Sequence, residues 1–411
     1  MASARINGDR LRSRLEELSG IGRTPDGGVS RFSYSPEHAA AVRLVARWMR
    51  EAGADPAVDA WGNLFAVAPG RAGSLPPVAA GSHLDTVPNG GVFDGPLGVL
   101  AAVEVAAGFR DAGASPLHPL LLLGFAEEEG TTYGVGCLGS LSLVGRAPAP
   151  EALHDADGRS AADALRAFET GLPKRAVPMP MAAYLELHIE QGPTLAAGGA
   201  QLGAVDAIVG ISRLGLVFVG EANHAGTTPM DVRRDALWGA ADLVAAVRSL
   251  VRDTGGRAVG TVGRLSVSPG AVNVIPGRAE LAVELRSADA ALLEALRGRV
   301  DAEARACARR HGLELETRAW RTEAPVPLNR GIQDAIAAAA NDLGCSYVTM
   351  SSWAGHDAKI LAAAVPSGMI FVPSAGGVSH SPRERTEWED VARGAQVLCR
   401  TIELLDRTQA G

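Results

Sequence analysis

The sequence has few cysteines and no long apolar run, and each absence excludes a class of protein. Four cysteines, Cys137, Cys307, Cys345 and Cys399, are scattered without CxxC spacing. That suits a reducing compartment better than a disulfide framework. No run of about 18 apolar residues occurs, so no membrane-spanning helix is expected. The opening residues, MASARINGDRLRSRLEEL, lack the apolar core of a secretory signal, and a cytoplasmic location is the expectation. Basic runs are also missing and the net charge is −7, so neither nucleic acid nor an anionic membrane is an expected partner. No internal repeat or low-complexity tract stands out.

What is present is a chain of 411 residues, 47% of them hydrophobic. That exceeds what one core usually fills, so two domains are expected. EHAAAVRLVARWMREAG reads as a helix capped by Ser35, with Pro36 in its first turn and Gly53 at its end. NLFAVA and PVAAGS read as buried strands, PLGVLAAVEVAAGFRDAG as a helix, and PLLLLGFA as a strand running into Glu127-Glu128-Glu129. Residues 145–180 read as loop around a short helix, after which AAYLELHIE returns as a strand. This alternation indicates an α/β domain. The pattern then changes. Between residues 210 and 323 it runs strand, helix, strand, strand, helix, which suggests an α+β sandwich. Pro325 and Pro327 mark its exit, and helical and strand patterns like those of the first part resume. The expectation is therefore a catalytic domain of residues 1–209 and 324–411, interrupted by an insert at 210–323.

Chemistry-bearing residues gather at strand exits. In GSHLDTVPNGGVFDGP, His83 follows an apolar strand, Asp85 lies two residues on, and Asp94 sits in a loop rich in Gly and Pro. A His-x-Asp pair suits a metal site, since the carboxylate can take the ring's other N–H. Taken alone, HLD is equally a strand end and DGP an exposed turn. Glu127, Glu128 and Glu129 end a buried strand, where open α/β sheets place their sites. Adjacent side chains on extended backbone diverge, so one carboxylate can ligate metal while its neighbour handles protons. In ELHIEQGP, Glu186, His188 and Glu190 share one strand face. His380 follows the apolar run MIFVP. Three imidazoles with carboxylates suit zinc, manganese, cobalt or nickel better than calcium.

These segments resemble the carbamoylase branch of the aminoacylase/carboxypeptidase metallopeptidase superfamily, which contains N-carbamoyl-L-amino-acid hydrolases, allantoate amidohydrolases and yeast-type β-ureidopropionases. The resemblance spans about residues 36–400, most specifically in GSHLDTVPNGGVFDGPLGVLAAVE, ELHIEQGPTL, NHAGTTPM and GHDA. It implies a metallopeptidase-type catalytic domain with an inserted lid that also forms a homodimer. It implies two divalent ions held by His83, Asp94, Glu129, His188 and His380, with Asp94 bridging them. Glu128 would be the general base and Glu127 a spare. His224 would help stabilise the oxyanion in the partner subunit's site. Gln191, Asn273 and Arg286 would hold the substrate carboxylate, with His356 as a further substrate contact, and Asp85 would orient His83. Two stretches depart from the pattern: Thr132 and Tyr133 replace an Arg-Phe pair, and SSWA precedes GHDA, bringing in Trp353. The implied reaction is hydrolysis of an N-carbamoyl-L-amino acid. An allantoate- or ureidoglycine-type amidohydrolase, or another N-acyl amino acid amidase, is the alternative.

Overall fold

The structure, a computed structural model, describes residues 4–408. These contain the strands β1 (Asp55–Val58), β2 (Leu64–Ala68), β3 (Val78–His83), β4 (Leu120–Phe125), β5 (Ala183–Ile189), β6 (Leu202–Ile208), β7 (Gly210–Val219), β8 (Ala258–Ser268), β9 (Arg278–Ser287), β10 (Glu314–Glu323), β11 (Val326–Pro327), β12 (Tyr347–Ser352) and β13 (Ser367–Val372). The chain divides into two compact units. One runs up to Asp206 and resumes at Leu328; the other is Ala207–Pro327.

In the first unit the strand order is β1-β2-β4-β3-β5-β13-β6, with β12 also on β6. The four central strands β4, β3, β5 and β13 are parallel and buried at every position. Such strands need apolar residues on both faces, which is why LLLLGF and SGMIFV read as continuous apolar runs. The helix Pro36–Glu51 begins where Ser35 accepts the His38 N–H, satisfying one of the donors a helix start leaves over. The helix Pro96–Asp111 is buried over almost its whole length, in keeping with its all-round apolar sequence. Its start is tightly fixed. Gly95 has φ +82° and lies so close to His83 that a Cβ there would fall 2.4 Å from the imidazole Cε1. Asp94, the residue before it, is thereby pressed towards His83.

The second unit is an antiparallel sheet, β10-β7-β9-β8. The helices Ala236–Arg252 and Ala290–Arg310 share a core with its inner residues, among them Leu216, Phe218, Leu281 and Leu285. Strand β9 alternates strictly: Ala279, Leu281, Val283 and Leu285 face this core, while Glu284 and Arg286 point to the other side. The sequence pattern predicts three strands here and the structure has a fourth, β10, paired along β7. ELETR at its start is mostly exposed, so no apolar alternation marks it. The chain enters and leaves this unit side by side, with Ala207 opposite Pro327 and Ile208 opposite Val326. No helix among the described residues is long and apolar enough to cross a membrane.

Candidate metal centre

The carboxyl ends of the four parallel strands bring the candidate ligands together, as open α/β sheets do for their sites. His83 is the last residue of β3, the three glutamates follow β4, His188 is near the end of β5, and β13 leads into the loop carrying His380. Asp94 lies at the centre. Its Oδ1 is 3.2 Å from His188 Nε2 and 3.5 Å from His83 Nε2. Its Oδ2 is 3.3 Å from His380 Nε2, which is also 3.5 Å from Glu129 Oε2. One carboxylate thus faces two separate groups: His83 with His188 on one side, His380 with Glu129 on the other.

The imidazole tautomers follow from their partners. His83 Nδ1 is 3.0 Å from the Asp85 carbonyl oxygen and His188 Nδ1 is 2.9 Å from the Ile189 carbonyl oxygen. A carbonyl only accepts, so both Nδ1 atoms donate and both Nε2 atoms can present a lone pair. The sequence reading has the Asp85 carboxylate orient His83. The structure corrects this, because that carboxylate is 3.8 Å from Nδ1. It accepts instead from the backbone N–H groups of Glu128 (3.1 Å) and Glu129 (3.2 Å). Asp85 therefore holds the glutamate turn, and its main chain serves His83.

The three glutamates go three ways. Glu127, in the left-handed conformation at φ +57°, curls away and accepts the Thr132 and Tyr133 N–H groups at 2.8 and 2.6 Å. Glu128 Oε2 is 3.8 Å from His83 Nε2, and its Oε1 accepts from Cys137 Sγ at 3.3 Å. Glu129 reaches His380. Among the described residues, four of the six non-glycine residues with positive φ, namely Glu127, Cys137, Gln191 and His380, belong to this site. Such conformations cost about 1–3 kcal/mol and persist where the surroundings impose them.

The remaining predicted residues are spread more widely. Gln191 donates to Asp94 Oδ2 at 2.8 Å, so its side chain lies against the candidate ligands. His356 is buried, its ring edge-on to His188 with centroids 4.6 Å apart and its Nε2 2.8 Å from Ser352 Oγ. It packs against the candidate ligand His188, and with Glu186 and His188 it forms one more group of possible metal-binding side chains. Glu186 and Glu190 share the strand face of His188 but are engaged elsewhere, Glu186 with Ser82 and the Ala358 N–H, Glu190 with the Thr194 and Leu195 N–H groups. His224, Asn273 and Arg286 lie in the second unit. His224 bridges to Val274, and the Ala225 N–H donates to the Asn273 carbonyl, so those two loops run together. His224 Nδ1 accepts from the N–H groups of Gly226 (3.0 Å) and Thr227 (3.1 Å). Its Nε2 is consequently the protonated, donating nitrogen. Arg286 pairs with Glu284 at 2.8 Å, and Arg213 holds the same carboxylate at 2.7 Å. Glu384 and Ser379 both touch Asp94, yet sequence reasoning does not find them. Nothing sets Glu384 apart in the charged run PRERTEWED.

Residues 79–404 match the peptidase family M20/M25/M40. The chain belongs to that family. Among curated relatives, this M20-family chain is 41% identical to an N-carbamoyl-L-amino acid amidohydrolase of Geobacillus stearothermophilus, over 97% of this chain and 98% of the relative. It is 35% identical to the allantoate amidohydrolase of Escherichia coli, over 94% and 96%. Among solved structures it superposes on an amidase of the hydantoinase/carbamoylase family from Burkholderia multivorans with a TM-score of 0.93, at 34% identity and 98% coverage of both chains.

The M20-family site fits divalent cations on its own geometry. His188 Nε2 is buried and lies 3.2 Å from Asp94 Oδ1 without hydrogen-bond geometry to it, a costly state unless something else takes its lone pair. Acids are crowded about it. Burial pushes the Glu128 carboxyl well above its usual range, and burial with nearby Asp94 takes Glu129 up to about 7. Burial alone would raise Asp94 too, but the facing imidazoles of His188, His380 and His83 hold it well below the ordinary value. Contact with Asp94 in turn lifts His380 to about 9. Buried acids sharing protons with imidazoles are the groups a bound cation would satisfy.

Proposed function

We propose that this chain is a metal-dependent amidohydrolase that cleaves the carbamoyl amide of an N-carbamoyl-L-amino acid, with water as co-substrate and amino acid, ammonia and carbon dioxide as products. The observation supporting the reaction class is Asp94, whose two oxygens face two ligand groups, with the Glu128 carboxylate 3.8 Å from His83 beside them. Full-length likeness to N-carbamoyl-L-amino acid amidohydrolases supports the substrate class. His83, Asp94, Glu129, His188 and His380 would hold two divalent ions, which when bound polarise the scissile carbonyl and acidify the attacking water.

The protein's own groups do the rest. Glu128 accepts the water proton and returns it to the leaving amine. Its buried setting, which favours the neutral form, suits a group that must hold that proton between the two steps. His224 would donate its Nε2–H to the developing oxyanion in the partner subunit's site. Arg286 and Asn273 recognise the substrate carboxylate, a planar anion matched by a guanidinium fork and an amide. Gln191, already on Asp94, helps order that side of the site. A homodimer is part of the same proposal. Strand β8 is a sheet edge with exposed Val259 and Leu265, and an edge of this kind invites pairing with a second chain.

Glu128→Gln should keep its full metal content and its substrate affinity while losing turnover by several orders of magnitude. Near-normal turnover would remove Glu128 from the role. A panel of N-carbamoyl amino acids, allantoate and N-acyl amino acids, assayed by ammonia and amine release, tests the substrate. Preference for allantoate would move the chain to the activity of its 35%-identical relative.

A further inference from the structure

Glu384 is nearly fully buried and lies between the two loops that carry Asp94 and His380. Its Oε1 accepts the N–H groups of Phe93 (2.9 Å) and Asp94 (3.1 Å). Its Oε2 lies 2.9 Å from Ser379 Oγ. The same hydroxyl is 2.9 Å from Asp94 Oδ2, the oxygen that faces His380. The Glu384 N–H returns to the Ser381 carbonyl at 3.0 Å, closing a turn that begins directly after His380. The packing leaves no slack: a Cβ on Gly91 would fall 2.0 Å from the Glu384 carboxyl carbon. One side chain therefore fixes the backbone of the Asp94 loop and, through Ser379, the direction of the Asp94 carboxylate.

We propose that Glu384 is a positioning residue for the metal centre, locking the Asp94 loop to the His380 loop so that the His380-side ion finds its ligands in place. This rests on the two-ion reading of the site. The lock works by reach and hydrogen bonding, because the groups that hold the Glu384 carboxylate are two backbone amides and a hydroxyl. Ser379 has one hydroxyl hydrogen and can donate to only one of its two carboxylate neighbours. In Glu384→Gln the amide oxygen still accepts from Phe93 and Asp94. The amide nitrogen donates to Ser379 Oγ, leaving the hydroxyl hydrogen for Asp94. In Glu384→Asp the carboxylate is one methylene too short to serve both loops.

The test is metal binding, read by calorimetric titration of apo-protein with zinc or manganese, with the thermal melt of each apo-protein as the check of folding. The wild-type chain should take up two ions. Glu384→Gln should also take up two, within about threefold in affinity, whereas Glu384→Asp should fold, fill one site normally and bind the second at least tenfold more weakly. Three results overturn the proposal: Glu384→Asp binding both ions as the wild type does, Glu384→Gln losing as much as Glu384→Asp, or Glu384→Asp failing to fold while Glu384→Gln folds. A wild-type chain that binds no second ion would instead overturn the two-ion reading itself.

Discussion

Replacing Asp85 by Asn tests whether the glutamate turn is held as the geometry indicates. The carboxylate is buried and accepts two backbone N–H groups, from Glu128 and Glu129. Hydrogen bonds to a charged acceptor contribute about 1.5–3 kcal/mol each, and an N–H left unpaired in the interior costs about 1–3 kcal/mol. An Asn side chain can accept from one N–H but must turn its own amide nitrogen towards the other. The expected cost, falling on the turn, is about 2–4 kcal/mol. At about 1.4 kcal/mol per tenfold, the equilibrium constant for holding both Glu128 and Glu129 in place drops by roughly 30- to 700-fold. Turnover of the Asn variant should fall by about 100-fold, with weaker binding of the ion that Glu129 serves. The His83 side should be spared, because His83 Nδ1 faces the Asp85 main-chain carbonyl, which the substitution leaves in place. The measurements are kcat and metal content per chain on the same preparation. Turnover within threefold of wild type would refute the reasoning; loss of the His83-side ion alone would return Asp85 to the role of imidazole partner.

Glu127→Gln should be mild, within about fivefold in kcat, since its amide oxygen can still accept from Thr132 and Tyr133; a loss rivalling that of Glu128→Gln would exchange the two assignments. His224→Ala should lower kcat by about 100-fold, the rate equivalent of an oxyanion donor contributing about 3 kcal/mol, while apo-protein stability stays near wild type; an unchanged kcat removes His224 from the reaction. Away from the site, burial pushes the His38 imidazole down to about 3. It stays neutral in the folded chain while the unfolded chain takes up a proton below about 6.5. Its effect is therefore absent at high pH and stability is lost as pH falls through 6.5 towards 3. Between pH 7 and pH 5 the loss should be about 2 kcal/mol. Urea unfolding of the wild type and of His38→Gln at both values should show the wild type losing about 2 kcal/mol more than the variant.

The parts legible in the sequence are those where burial writes a strong pattern. The parallel strands are covered on both faces, so VAAGSH, LLLLGF and SGMIFV stand out as apolar runs. Their carboxyl ends tell where to look for acids and imidazoles. Strand β10 leaves no such trace, because an edge strand exposed at most of its first residues needs no apolar face. The helix Gly8–Ser19 escapes the sequence reading because its buried positions include Arg14 among Leu11, Leu15 and Leu18, which weakens the periodic signal. Within the site, residue types and rough positions can be read, but partners cannot. That Asp85 serves two amides rather than an imidazole depends on a turn whose first residue, Glu127, takes a left-handed conformation, and no local pattern announces that in a glutamate. Glu384 lies 290 residues from the Asp94 N–H it accepts; only the fold brings them together.

The second unit begins and ends on one short antiparallel pairing, Ala207 with Pro327 and Ile208 with Val326. Entry and exit are neighbours, so the whole unit occupies the place a loop would take. All five candidate metal ligands lie outside it, while His224, Asn273 and Arg286 lie within it. Hydrolytic chemistry and recognition of the substrate's acid group, as proposed, are thus written on separately packed pieces of chain, each with its own core. A lineage, or an engineer, could exchange the inserted piece as a cassette and alter which ureido or acyl compound is accepted without rebuilding the metal ligands.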